Sequence, residues 1–242
     1  MLRLPVHARH FVRTPCQRAL GRFIRHASST IVKYPPSSAP REAPTPLVFP
    51  SVRGWGEQES KRGIDTQAAM LRELGYTTVE IELDTYSKPS ERVGTLHDIL
   101  SDYAKELHSE VKLASLFPPV IISRGIATMV AQAYVESYPL SALVLVGQTL
   151  SYPIQLPDAY KRYASTLRRD KKYPDEYETP TWNWSIGQFP FLMVEAIRDP
   201  KRETECMDFG MPLDLAMLDD DGLKDQKKLY DVLRSWLDHI GI

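Results

Sequence analysis

From residue 47 onward the chain alternates short apolar runs with stretches of helical periodicity. No other feature narrows the fold as much. Short strands separated by amphipathic helices form βαβ units, which assemble into a largely parallel sheet. The sharpest instance lies between Pro119 and Pro139. Val120, Ile121 and Ile122 form an apolar run, which breaks at a glycine, Gly125. Met129, Val130, Ala133 and Tyr134 then recur at helical spacing. This segment reads as strand, tight turn and helix, with the strand at 119–122 and the helix over 126–137.

The same reading extends along the chain. Strands are expected at 47–52, 76–83, 142–146, 191–194 and 213–218. Helices are expected at 64–74, 95–112 and 224–240, the first with Asp65 as N-cap and Gly75 as its stop. Leu96, Ile99, Leu100, Tyr103 and Leu107 share one face of the second. Leu229, Val232, Leu233, Trp236 and Leu237 share one face of the third. Ala142–Val146 is wholly apolar, as a strand covered on both faces must be. The class that follows is α/β, with a mostly parallel central sheet flanked by helices. Residues 151–188 break the pattern with aromatic and charged stretches and are expected to form a short irregular cap.

Charge sets the N-terminus apart. The formal net charge is −1, yet residues 1–27 hold Arg3, Arg9, Arg13, Arg18, Arg22 and Arg25 and no acid. Apolar residues are interleaved with them. That composition suits a mitochondrial transit peptide, removed near Ala27-Ser28. Without it, Lys plus Arg falls from 30 to 24 against 31 Asp plus Glu, a balance near −7. An acidic domain argues against nucleic-acid binding. Of the two cysteines, Cys16 lies in this leader and Cys206 outside it, which fits a reducing compartment such as the mitochondrial matrix. No stretch approaches the length of a membrane span. Residues 28–46, rich in Pro, Ser and Ala, read as a linker or surface strap before a domain spanning 47–242.

Four local patterns, in order, resemble the α/β-hydrolase fold family. Arg53-Gly54-Trp55-Gly56 is similar to the turn after the first core strand that helps build the oxyanion hole. Residues 71–83 resemble the following helix, Gly-Tyr turn and strand. Ser123 to Gln132 resembles the nucleophile elbow, where G-x-S-x-G holds a serine on a sharp turn. Phe189 to Pro200 resembles the strand and loop that carry the catalytic acid. The resemblance covers about four fifths of the chain, from Leu47 to the C-terminus. It implies a sheet capped by the 151–188 insertion and a Ser-His-Asp site at its carboxyl edge.

Carried over residue by residue, the resemblance puts Gly125 at the nucleophile position and Asp199 at the acid. The stretch expected to supply the histidine reads Asp219-Asp220-Asp221-Gly222-Leu223. Outside the leader the histidines are His97, His108 and His239, none at that point of the order. Arg53, Gly54 and Ile126 fall at the oxyanion-hole positions. The chain is thus identified as a catalytically degenerate, mitochondrial α/β-hydrolase-like member with a binding or scaffold role. The alternative is a serine esterase, lipase or thioesterase with a displaced nucleophile, for which Ser123 is the candidate, two residues before the turn.

Further features remain open in chemistry. Arg53, Arg124, Asp199, Asp219 and Asp221 come from loops at one end of the sheet, where they form internal ion pairs, line an anion-binding cleft or point into water. Trp182, Trp184 and the tyrosines around them either line a pocket or docking patch or hold the cap down. The run Arg168-Arg169-Asp170-Lys171-Lys172 reads as a solvated helix end. No metal-ligand spacing and no phosphate loop is present, so no cofactor is expected. The expected partner is a protein or a small anionic ligand.

Overall fold

The computed structural model describes residues 28–84, 95–147, 154–155, 176–177, 189–196, 213–218 and 220–242. They form a seven-stranded sheet. In chain order the strands are β1 (Ser29–Lys33), β2 (Ala43–Arg53), β3 (Tyr76–Asp84), β4 (Val120–Arg124), β5 (Ala142–Val146), β8 (Phe191–Ala196) and β9 (Leu213–Leu218). A separate antiparallel pair, β6 (Ile154–Gln155) and β7 (Glu176–Tyr177), lies within the expected cap. The sheet order is β1-β3-β2-β4-β5-β8-β9, with β1 antiparallel to β3 and every other pairing parallel.

That order has a functional consequence. From β2 the chain moves to β3 on one side, then returns past β2 to place β4, β5, β8 and β9 on the other. The direction of winding therefore reverses between β2 and β4. In open parallel sheets ligands bind at such a reversal, outside the carboxyl ends of the strands.

Six helices flank the sheet: α1 (Glu57–Lys61), α2 (Ile64–Glu73), α3 (Leu96–Ala114), α4 (Ala127–Ser137), α5 (Asp220–Lys224) and α6 (Gln226–His239) among the described residues. The core splits into two layers. Ile121, Leu143 and Leu145 pack with the buried faces of α3 and α4. Val120, Ile122, Val144 and Val146 pack with α2 and α6. Alternate residues of β4 and β5 thus face opposite layers, and both strands are buried throughout. The five apolar residues expected on one face of α3 are all buried. On α6, Leu229, Leu233, Trp236 and Leu237 are buried and Val232 packs partly buried beside them.

Two local readings change. Asp65 does not cap α2: Gly63 occupies the N-cap at φ +73°, and the Asp65 side chain is 92% exposed. The Pro/Ser-rich stretch 28–46 is a strap that also joins the sheet. Its first part is the edge strand β1, held by Ser28 Oγ and Thr30 Oγ1 donating to Glu106 and Glu110 of α3, each at 2.6 Å. Its last part begins β2, where a register shift between Ala43 and Leu47 accommodates Pro44 and Pro46. Among the described residues no helix is long and apolar enough to cross a membrane.

Candidate functional site

The site is built where β2 and β4 end. Beyond β4, Gly125 turns the chain at φ +57°, a left-handed conformation that costs glycine nothing and other residues dearly. Helix α4 starts at once, with Thr128 donating from both N and Oγ1 to the Gly125 carbonyl, at 3.1 and 2.7 Å. This is the strand–turn–helix geometry expected at 119–137, with the strand running two residues further, to Arg124.

The space above the turn is filled. A β-carbon built on Gly125 would lie 3.0 Å from the Glu59 β-carbon and 3.4 Å from the Ser60 nitrogen. Both neighbours belong to α1, which runs across the turn. Ser60 anchors that helix and is fully buried. Its hydroxyl accepts from the Val52 N–H at 3.2 Å and donates to the Glu57 carbonyl at 3.1 Å. The loop before α1 closes on the residue after the turn: a β-carbon on Gly56 would lie 3.3 Å from Ile126 Cγ2. The Gly54 N–H, at an expected oxyanion-hole position, donates to Glu57 Oε2 at 3.1 Å.

Ser123 lies inside the sheet. It is 1% exposed, and its hydroxyl donates to the Val144 carbonyl on β5 at 3.3 Å. The three histidines stand elsewhere. His97 Nε2 is 3.5 Å from Glu136. His108 stacks on Tyr138 at 3.9 Å and lies 3.2 Å from the Tyr134 hydroxyl, where burial and then Lys112 push its pKa below the ordinary value. His239 is exposed at the end of α6. Asp199, Asp219 and the cap aromatics lie outside the described residues, as does the side chain of Asp221 in α5.

The two arginines separate. Arg53 Nε donates to Glu82 Oε1 at 2.5 Å, and Lys61 reaches the same oxygen at 2.9 Å and Glu57 at 2.7 Å. The Glu82 hydrogen bond raises the Arg53 pKa. Burial works to raise that of Glu82, but hydrogen bonds from Arg53 and Lys61 outweigh it and hold the carboxyl below its ordinary value. Arg124 instead points under α1 and is 8% exposed. Burial lowers its pKa, with Glu59 opposing and Arg62 adding to the shift. Its Nε is 3.9 Å from Glu59 Oε2, while the other Glu59 oxygen is 2.5 Å from Arg62 Nη2. Among the described residues, Arg124 Nε and Nη1 have no hydrogen-bond partner.

Beside Arg124 is a cavity of about 20 Å³, lined by Phe49, Ser60, Arg62, Gln67 and Ile122 among others. A larger cavity of about 230 Å³ lies along β1–β3, where Glu80 and Glu82 are already paired with Lys33 and Lys61. Sequence reasoning missed Glu59, Ser60 and Arg62 altogether. The signal available was slight: a charged hexapeptide between Gly56 and Gly63 with Glu57 and Lys61 one helical turn apart. Among the described residues no cluster of His, Cys, Asp and Glu is placed to hold a metal ion.

No family model and no curated protein sequence matches the chain. Solved structures do. An α/β hydrolase enzyme from a lagoon-sediment metagenome of Mar Chica, Morocco, is 15% identical with a TM-score of 0.57, over 89% of this chain and 96% of that one. An α/β serine hydrolase homologue from Coxiella burnetii is 14% identical with a TM-score of 0.54, over 85% and 89%. A thermophilic esterase from the Planctomycetes species Thermogutta terrifontis, in its butyrate-bound form, is 15% identical with a TM-score of 0.54, over 88% and 90%. At such low identity these likenesses speak to architecture: the chain has the α/β-hydrolase fold.

Proposed function

We propose that this chain is a mitochondrial α/β-hydrolase-like protein that has lost Ser-His-Asp chemistry and acts by binding or as a scaffold. The observation that carries this reading is the closure of the turn. Gly125 offers no hydroxyl, and Glu59 and Ser60 occupy the space into which a side chain there would project. An elbow works by holding its nucleophile out toward substrate. Here a helix of the same chain covers that position. The Gly54 N–H, which an oxyanion would need, is engaged by Glu57. The acid-free, arginine-rich leader supports the mitochondrial location, with maturation near Ala27-Ser28.

A second reading is kept because structures of similar fold include an esterase. It requires Ser123 to act as a displaced nucleophile. An unassisted serine hydroxyl is a weak nucleophile, and this one is buried and bonded to a backbone carbonyl. A fluorophosphonate probe separates the two readings. The expected result is no labelling of the purified chain. Labelling that disappears in Ser123→Ala would establish the esterase-type reading. The location is tested separately by fusing residues 1–27 to a reporter, which is expected to enter mitochondria; a reporter left in the cytosol would remove that part of the proposal.

A further inference from the structure

We propose that Arg124, with Arg62, binds a small monovalent anion, a halide or a one-carbon oxyanion, in the cavity between α1, α2 and the sheet. This gives the binding role proposed above a ligand class.

The case begins with charge that the described residues do not balance. Arg124 is more than nine-tenths buried, and an arginine stays ionised in a folded protein. A buried N–H that gives up water must find another acceptor or pay for its loss. Nε and Nη1 of Arg124 find none among the described residues. Glu59 is the nearby carboxylate, at 3.9 Å from Nε, beyond hydrogen-bond reach. Its other oxygen already belongs to Arg62 at 2.5 Å. Among the described residues two guanidinium groups therefore share one carboxylate, which leaves one positive charge over in a poorly solvated place.

The remaining described lining supplies no negative charge. The Ser60 hydroxyl is committed to Val52 and Glu57. Gln67 Nε2 donates to the Gln226 carbonyl at 2.6 Å. Phe49 and Ile122 are apolar. A water molecule could accept from the guanidinium and donate to Gln67 Oε1, which has no partner among the described residues, but it carries no charge. An anion supplies both the acceptor and the balance. Size then selects among anions. A cavity of about 20 Å³ holds about one water-sized group. That matches a single-atom anion such as chloride, leaves formate and bicarbonate, with three and four heavy atoms, to extend beyond it, and rejects a phosphate ester or a long acyl chain.

Thermal unfolding of the full chain tests this in sodium chloride, formate, bicarbonate and gluconate at equal ionic strength and pH. Gluconate is too large for the cavity and serves as reference. The expected result is a saturable rise in melting temperature with at least one of the three small anions. The rise should be on the order of 5 °C at a hundred times the dissociation constant. It should vanish in Arg124→Met, which keeps the bulk of the side chain without its charge. The chloride, formate and bicarbonate arms identify the class. Equal melting temperatures in all four salts, or an undiminished response in Arg124→Met, overturn the proposal. If that variant does not fold, crystals of the unaltered chain soaked in bromide decide. An anomalous peak at Arg124 Nε or Nη1 supports the site, and water alone there, in this soak and in parallel formate and bicarbonate soaks, overturns it. Probe labelling at the turn does not report on this cavity, so failure of one claim is not read as failure of the other.

Discussion

Two neighbouring parallel strands, β2 and β4, end in the same dipeptide, Arg53-Gly54 and Arg124-Gly125. Both glycines turn the chain through positive φ, at +72° and +57°. The surroundings are opposite. The Arg53 side chain is 42% exposed and has a carboxylate at 2.5 Å; that of Arg124 is 10% exposed and, among the described residues, has a carboxylate no closer than 3.9 Å. The difference comes from α1, which leaves Gly54 in solvent but crosses over Gly125. Identical local sequence thus gives a screened surface pair at one strand end and a buried, under-partnered cation at the other. Which of the two can recognise a ligand is decided by what covers it.

The contrast breaks most directly at the glycines. In Gly125→Ser the new β-carbon meets Glu59 at 3.0 Å while the backbone is forced to remain left-handed. The left-handed conformation costs about 1–2 kcal/mol and overpacking typically 1–3, so a loss of roughly 2–5 kcal/mol is expected in urea melts. For Gly54→Ser, at an exposed left-handed position, the conformational cost of about 1–2 kcal/mol is expected to lead. Neither change is expected to produce esterase activity, since a serine at 125 would be wedged under α1. Equal losses at the two positions would mean that α1 does not seat on the turn.

Much of this architecture is legible in sequence, for identifiable reasons. Strand β5 falls where its apolar run does, because Ser141 and Gly147 at its ends cannot continue a buried strand. Helix α3 begins at Thr95, where Thr95 and Asp98 bond reciprocally as a capping box. Leu96, at the head of its apolar face, follows directly. Helix α1 was not legible, since five residues are too few to show a period. Strand β1 was hidden in a Pro/Ser-rich context, because its pairing with β3 is long-range. The site suffers most from this. Gly125 could be placed at the turn from the chain alone, but the separation of Arg53 from Arg124 depends on α1, an element that only tertiary packing defines.

The arginines sharpen the comparison at smaller amplitude. Replacing a buried, poorly paired charge with an apolar side chain of similar volume is often neutral or stabilising. Arg124→Met, measured in gluconate so that no small anion intervenes, is expected to raise stability by about 1 kcal/mol. A loss of 3 kcal/mol or more would mean that the guanidinium is fully paired in the folded chain. Arg53→Ala is expected to cost under about 1 kcal/mol, because an exposed pair gains little and is screened. That cost should shrink further in 1 M salt. A salt-independent loss would place Arg53 in a drier environment than its exposure indicates.

The smallest effect is also the most specific, because it involves protons at one strand end. Glu82 and Glu57 are both held below the ordinary carboxylate value of 4.5. At Glu82 burial opposes the shift and the bonds from Arg53 and Lys61 prevail. At Glu57 the bond from Lys61 leads, followed by that from the Gly54 N–H. A carboxyl with a lowered folded pKa favours the folded chain when ionised in both states, above the unfolded value. That contribution is lost as pH falls through the lower, folded value, because protonation ends the attraction. In Glu82→Gln the pair is absent at every pH. The stability gap between wild type and Glu82→Gln should therefore be constant from about pH 7 to 5 and close below about 4.5. A gap that persists unchanged to pH 3 would mean that Glu82 stabilises this strand end by packing, and the description of Arg53 as the charge-paired member of the two would fail.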